Sequence, residues 1–229
     1  MQKISGSTLK GLKVALVYPP YGTVKNEPGI KAVKENYGLF PNLSLLYVAG
    51  NVEAFGAEVL FLDAHAEMIY RKETVERLKA FGPDFIGYTL TTYLFFQTLR
   101  WVKAIKSEIP VPVVVGGVHM GIYPEETLSY PEIDLGVMGE AETILPSLLE
   151  KAASGFLPEV PGAVFRRDGK VVSIPLPPPL KDVDSAPFPA RHLIKNEIYF
   201  SFISKYRNFS PLITSRGCPF RCIFCEQGG

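Results

Sequence analysis

The sequence predicts an α/β fold built on a doubly wound, five-stranded parallel sheet over about residues 13–155. Three observations support this fold class. Five short apolar runs recur along the segment. The stretches between these runs have apolar residues at the spacing of a helix. Glycine or proline stands at most of the boundaries between them. Strands that alternate with helices pair in parallel and carry helices on both faces. The prediction is therefore a Rossmann-like domain, whose ligands bind beyond the carboxyl ends of the strands.

The predicted strands are short runs rich in valine, isoleucine, leucine and phenylalanine. The first strand ends at Pro19-Pro20, which opens a long loop to about residue 41 that we expect to face a ligand. The five strands span residues 13–18, 58–62, 84–89, 111–115 and 135–138.

Helical spacing of apolar residues predicts five helices between and after these strands. Gly56 and Gly82 follow the first two helices, at the position where glycine commonly ends a helix. The helices span residues 43–55, 74–81, 93–108, 124–129 and 142–153.

After residue 155 the sequence changes in character. Residues 162–174 predict a β-hairpin that turns at Asp168-Gly169. Residues 175–189 hold six prolines, which is typical of a stiff linker. We therefore divide the chain into a flexible lead (1–12), the sheet domain (13–155), a hairpin with the proline linker (156–195) and the start of a further domain (196–229).

All three cysteines of the chain lie close together near its end. Cys218, Cys222 and Cys225 are spaced C-x3-C-x2-C, and thiolates are soft ligands for zinc or iron–sulfur clusters. Three ligands leave one position of a metal site open, as in sites that do chemistry. One alternative is a zinc site whose fourth position is filled by a distant ligand, such as His192. Ordinary apolar packing of the three cysteines is the other.

The segment 214–225, Thr-Ser-Arg-Gly-Cys-Pro-Phe-Arg-Cys-Ile-Phe-Cys, resembles the cluster loop of radical S-adenosylmethionine (SAM) enzymes. The resemblance implies that Cys218, Cys222 and Cys225 hold a 4Fe-4S cluster, that SAM binds the open iron, and that Phe224 lies beside the adenine. It also implies that residues 211–214 are the first strand of a (β/α) barrel. A whole barrel needs about 250 residues. We therefore expect its remainder in the full-length protein or in a partner chain.

The sheet domain resembles the cobalamin-binding domain that precedes many radical SAM barrels. The matching features are Gly116-Gly117, Gly139-Glu140-Ala141-Glu142 and Pro187-Phe188-Pro189-Ala190-Arg191. Glycines allow the backbone to approach a bulky ligand closely, although a tight turn explains Gly116-Gly117 equally well. The resemblance implies cobalamin contacts in the loops after the strands, at Thr89, Thr92, Gly116, Gly117, His119, Gly139 and Glu140.

Two motifs in these loops have competing interpretations. Asp63-Ala64-His65 is similar to the D-x-H motif whose histidine ligates cobalt, but it follows the second strand. We interpret His65 as a polar loop residue and expect no histidine ligand from the loop after the first strand. An exposed turn histidine is the alternative for His119. Glu140 and Glu142 are either an acid–base pair or, for Glu142, a charge that complements the helix dipole.

The two resemblances together imply an enzyme with a 4Fe-4S cluster, SAM and cobalamin. A 5′-deoxyadenosyl radical would activate a carbon of a small-molecule substrate, and methylcobalamin would supply a methyl group to it. A flavodoxin or ferredoxin would supply electrons. The alternatives are a radical SAM cyclase, oxidoreductase or rearrangement enzyme, with or without cobalamin, and a corrinoid-binding module without its own catalysis.

Composition excludes other classes of function. The net charge of +1 gives no support for a nucleic-acid partner, and no apolar run approaches the ~18 residues of a membrane span. The first residues lack a signal-peptide core. Clustered thiols predict a reducing, cytoplasmic location, and an oxygen-labile cluster predicts anaerobic chemistry.

Overall fold

The structure is a computed structural model that describes residues 9–20, 38–204, 209–218, 220 and 222–225. Most of the predicted ligand-facing loop, residues 21–37, lies outside the described residues. In chain order the strands are β1 (Lys13–Tyr18), β2 (Gly38–Leu39), β3 (Glu58–Asp63), β4 (Phe85–Thr89), β5 (Val113–Gly116), β6 (Leu135–Val137), β7 (Ala163–Arg167), β8 (Lys170–Ser173) and β9 (Phe200–Ser201).

The main sheet has seven strands in the order β3-β1-β4-β5-β6-β7-β8. Its first five strands are parallel, which confirms the predicted α/β fold with a parallel core. The order of the strands reverses between β1 and β4, because the chain first moves outward to β3 and then returns past β1. In an open α/β sheet, this reversal leaves a crevice at the carboxyl ends of the strands.

The helices are α1 (Leu43–Ala54), α2 (Arg71–Phe81), α3 (Phe95–Glu108), α4 (Val118–Ile122), α5 (Pro124–Ser129) and α6 (Ala141–Ala153). Five of the six agree with the predicted helices to within three residues at each end. The exception is α4, which is too short to show a helical period in the sequence. No described helix is both long enough and apolar enough to cross a lipid bilayer.

Two hydrophobic cores cover the two faces of the sheet. Leu16 and Val114 pack towards α1 and α6, whereas Val17 and Val115 pack towards α3 and its neighbours. Alternate residues of each parallel strand are therefore buried on opposite faces, which explains why these strands read as continuous apolar runs.

The hairpin turns at the predicted residues, but it belongs to the main sheet and not to a segment outside the sheet domain. Asp168 and Gly169 have φ of 51° and 75°, as expected for a two-residue hairpin turn. However, β7 pairs antiparallel with β6, so the hairpin extends the sheet beyond the predicted boundary at residue 155. This pairing covers an edge that β6 would otherwise expose.

The segments that flank the sheet domain also pack against it. Leu9 is buried and its amide donates to the carbonyl of Phe55 at 2.8 Å, so residues 9–12 differ from the predicted flexible lead. After the proline linker, the amide of Ala190 donates to the carbonyl of Leu46 in α1 at 2.9 Å. Further on, β9 pairs with β2 in a separate two-stranded sheet.

The predicted barrel strand at residues 211–214 is not a strand in the structure. A strand requires hydrogen bonds to a neighbouring strand. No strand of the described residues pairs with this segment. The assignment of residues 211–214 to the first strand of a barrel therefore stays a prediction.

Candidate functional site

A cavity of about 750 Å³ extends from the loops at the carboxyl ends of the strands down the face of the sheet that α1 and α6 cover. Its position matches the crevice at the reversal of strand order between β1 and β4. Its depth is lined by apolar side chains from the sheet and both helices, among them Leu16, Val114, Val137, Leu45, Val48, Leu145 and Leu149.

Polar groups are concentrated where the loops meet the cavity. Thr89 ends β4 and Thr91 follows it, Gln97 lies in α3, and Glu140 and Glu142 flank the start of α6. The side-chain amide of Gln97 donates to the carbonyl of Pro20, which fixes the start of the loop after β1. An apolar cavity with a few polar groups at its rim is typical of a cofactor or small-molecule site.

Gly116 and Gly117 both line the cavity, but for different reasons. Gly117 has a φ of 99°, and an added Cβ would lie 2.6 Å from the carbonyl oxygen of Leu90. The turn into α4 itself therefore requires glycine at residue 117. At Gly116 an added Cβ would meet nothing nearer than the carbonyl oxygen of Val137, at 3.6 Å. An added Cβ at residue 116 would therefore make only an ordinary van der Waals contact, and the backbone does not require glycine there.

His119 lies behind the cavity wall and is buried, so the alternative of an exposed turn histidine is wrong. Its Nδ1 is 3.2 Å from Thr92 Oγ1, and its ring centre is 4.1 Å from that of Phe95. Nε2 has no hydrogen-bond partner among the described residues. Burial lowers the pKa of His119, against the opposing charge of Glu126.

The structure brings together five of the eight predicted cofactor contacts. Thr89, Gly116, Gly117, Gly139 and Glu140 line the cavity. Thr92 and His119 contact each other outside the described cavity wall, and Phe224 is exposed in the cysteine segment. Contact of any of these residues with a cofactor stays a prediction.

Asp63, in the motif that is similar to a cobalt-binding sequence, holds the chain after the proline linker. Tyr199 donates its hydroxyl to Asp63 Oδ2 at 2.9 Å, and the amide of Ala66 donates to Oδ1 at 2.8 Å. Burial raises the pKa of Asp63, against these two hydrogen bonds. Asp63 therefore has a structural explanation, and the adjacent His65 lies in a turn, which is consistent with a polar loop residue.

A segment that we call the strap, residues 213–217, forms another part of the cavity wall. Arg216 Nη1 contacts Glu142 Oε1 and lies 3.4 Å from Glu140 Oε1. Although burial opposes the charge on Arg216, its hydrogen bond and ion pair with Glu142, together with the charge of Glu140, raise its pKa. The two carboxylates therefore bind a cation, which is a role that neither sequence interpretation included.

Sequence reasoning did not identify Arg216 as part of the site. Arg216 and Glu142 are separated by 74 positions, and no spacing rule connects residues so far apart. The available signal was the opposite charge of two short motifs that the resemblance had already singled out.

The three cysteines follow the strap in the cysteine loop, residues 218–225. All three are exposed, and the amide of Cys225 donates to the carbonyl of Cys222 at 3.0 Å. The described residues contain no group of three histidine, cysteine or carboxylate side chains arranged to hold a metal ion. The thiols suit an iron–sulfur cluster by their chemistry, and ligation by all three stays a prediction.

Comparison with known protein families adds independent information. The model of a family described as the B12 binding domain matches residues 31–149, which is just over half of the chain. The match includes β3 to β6, α1 to α5 and most of α6, and therefore most of the strands and helices that line the cavity, although β1 lies outside it.

Several relatives match most of the chain, two of them from Pyrococcus horikoshii and Rubrivivax gelatinosus. The "Uncharacterized methyltransferase PH0819" of Pyrococcus horikoshii is 33% identical over 226 residues, which cover 96% of this chain and 46% of the relative. The "Anaerobic magnesium-protoporphyrin IX monomethyl ester cyclase" of Rubrivivax gelatinosus is 31% identical over 198 residues, or 83% and 35% of the two chains. This chain therefore spans less than half the length of either relative.

A solved structure shares the fold. The "Cobalamin-dependent S-adenosylmethionine radical enzyme OxsB with aqua-cobalamin bound" aligns with a TM-score of 0.65 and 21% identity, over 82% of this chain and 25% of the other. This likeness supports the same arrangement of a parallel sheet and covering helices.

Proposed function

The chain belongs to the B12-binding domain family, and from this membership we propose that the cavity between the sheet, α1 and α6 holds a cobalamin. The observation that carries the proposal is the position of the cavity at the reversal of strand order, where most of the strands and helices that line it match the family. Its apolar depth would receive the less polar part of the ligand, and the loop groups at its rim would bind polar substituents.

The residues of the cavity fit this cofactor in two respects. Gly116 and Gly121 both line the cavity, where a Cβ at Gly121 would meet no atom within 4 Å and a Cβ at Gly116 would make only ordinary contacts with Val137. No histidine lies in the described wall, and the chain has none between residues 19 and 41. We therefore propose that cobalt receives no histidine ligand from the loop after β1.

The cysteine loop extends the proposal to a second cofactor site. We assign Cys218, Cys222 and Cys225 as ligands of a 4Fe-4S cluster that also binds SAM, with Phe224 near the adenine. When bound, these groups would supply radical chemistry, and the corrinoid would supply methyl transfer. This chain would hold the cofactors close together, since the strap that lines the cavity leads directly into the cysteine loop.

The proposed activity of the whole protein is methyl transfer to an unactivated carbon of a small-molecule substrate. The name of the Pyrococcus relative, a methyltransferase, supports this choice. Residues 196–229 would begin the catalytic barrel, and a flavodoxin or ferredoxin would supply electrons. The clustered thiols favour a reducing cytoplasm.

Radical cyclisation is the second candidate function. Three matched relatives carry the name of an anaerobic cyclase, and one of them is 31% identical to this chain. Cyclisation would use the same cluster and SAM sites without net transfer of a methyl group.

An anaerobic assay distinguishes these functions without knowledge of the substrate. The full-length protein, loaded with iron, sulfide and cobalamin, is incubated with SAM and dithionite. We expect both 5′-deoxyadenosine, which marks radical cleavage of SAM, and S-adenosylhomocysteine, which marks loss of its methyl group. The variant Cys222→Ser should lose 5′-deoxyadenosine. 5′-Deoxyadenosine alone would favour cyclisation, and the absence of both products would contradict an enzymatic role.

A further inference from the structure

Arg216 connects three separate parts of the protein at the cavity. It contacts Glu142 in the first turn of α6, approaches Glu140 just before that helix, and places its guanidinium carbon 5.9 Å from the ring centre of Tyr47 in α1. The side chains of Arg216 and Glu142 are only 23% and 10% exposed. An ion pair that is largely shielded from water is screened less by salt than a surface pair.

The strap has no regular secondary structure among the described residues. Residues 211–217 belong to no helix or strand, so they lack a ladder of backbone hydrogen bonds. Just before the strap, Arg191 donates to the carbonyl of Pro211 at 2.6 Å. Because no regular structure fixes the strap, the position of its backbone depends strongly on the side-chain contacts of Arg216.

Arg216 lies just before the cysteine loop in the sequence, so its contacts also bear on the position of that loop. Ile213, Ser215, Arg216 and Gly217 line the cavity together with Gly139 and Glu140. Cys218, the first residue of the cysteine loop, follows Arg216 by two positions. A ligand that fills the cavity would therefore touch the strap, which leads directly into the cysteine loop.

We propose that Arg216 is a positioning residue that, through Glu140 and Glu142, holds the cysteine loop at the cavity and retains a bound corrinoid. This inference deepens the proposed function and rests on it for the identity of the ligand. Arg216 acts in it through the placement of the strap and takes no part in bond formation. A planar guanidinium suits the role because it can donate to two carboxylates at once.

The first test measures the position of the loop without any cofactor. The chain carries spin labels at Cys218 and at Ser107→Cys on the exposed surface of α3, with Cys222→Ser and Cys225→Ser to remove the other thiols. Pulsed electron paramagnetic resonance then gives the distribution of distances between the labels. We expect Arg216→Ala to at least double the width of this distribution, and the exchange Arg216→Glu with Glu142→Arg to narrow it again.

Arg77 provides a matched control, because it also lies between two carboxylates, Glu67 at 3.1 Å and Glu73 at 2.5 Å. It does not line the cavity. Arg77→Ala should leave the distance distribution unchanged. An equally narrow distribution in Arg216→Ala and in Glu142→Ala would overturn the proposal.

The second test measures the rate at which cobalamin leaves the full chain, from the visible spectrum after dilution into an excess of a competing corrinoid binder. We expect Arg216→Ala to release cobalamin at least fivefold faster, with partial recovery in Arg216→Lys. An unchanged release rate would refute the role in retention. If the unaltered chain binds no cobalamin, the proposed function fails, and the distance measurement still decides the position of the loop.

Discussion

At the scale of single residues, Gly116 and Gly117 show how two identical neighbours come to have different roles. The sequence predicts that both bring the backbone close to a ligand. In the structure, Gly117 satisfies a left-handed turn in which a Cβ would collide with backbone, whereas Gly116 has an ordinary conformation in which a Cβ would fit beside Val137. A substitution at Gly117 therefore tests the fold, and one at Gly116 tests the cavity.

We predict that Gly117→Ala lowers the free energy of unfolding by about 1–3 kcal/mol, because alanine is strained at this φ and its Cβ meets the carbonyl of Leu90. Gly116→Ala is the matched control and should change it by less than about 0.5 kcal/mol. Urea denaturation followed by circular dichroism measures both values. Equal costs at the two positions would contradict this difference in roles.

At the scale of elements, the buried pair of Asp63 and Tyr199 joins the end of β3 to the chain after the proline linker. Burial raises the pKa of Asp63 above its ordinary value of 3.8. Because the folded state binds this proton more tightly than the unfolded state, Asp63 favours folding below pH 3.8, and that contribution is lost as the pH rises through the raised pKa.

We predict that Tyr199→Phe lowers the free energy of unfolding by about 1–3 kcal/mol at pH 7, because it leaves a buried carboxylate oxygen without its donor. The loss should be smaller at pH 3, where a protonated Asp63 needs less stabilisation. Denaturation at both pH values, with the exposed Tyr70→Phe as control, measures the difference. A cost that does not depend on pH would contradict a hydrogen bond from Tyr199 to a charged Asp63 as its cause.

The sequence predicted most elements but few of the contacts between them. Strands and long helices follow from local patterns, such as the apolar run at β1 and the spacing of Leu99, Val102 and Ile105 in α3. The pairing of β6 with β7 and the docking of Leu9 depend on which edges and surfaces the folded sheet leaves uncovered. The strand order also predicted which loops form the site. The presence of Arg216 at the site could not be predicted in this way, because only the folded chain brings the strap to the cavity.

At the scale of the whole molecule, the chain contributes two adjoining parts to one site, the sheet domain and the strap with its cysteine loop. The sheet domain supplies a cavity, and the strap places the cysteine loop at the wall of that cavity. This arrangement explains why the same short motif, Gly139-Glu140-Ala141-Glu142, both lines the cavity and binds Arg216. The proximity of the two proposed cofactor sites follows from this double contact.

The most direct test of this account is the binding of cobalamin to the purified chain, measured by the visible spectrum after desalting. We predict retention of about one cobalamin per chain, and its loss in Gly121→Phe, because Gly121 lines the cavity and an added Cβ there would meet no atom within 4 Å. Ser107→Phe, which adds the same ring on exposed α3, should bind normally. A chain that retains no cobalamin, or a Gly121→Phe variant that binds as well as the unaltered chain, would contradict the assignment of the cavity.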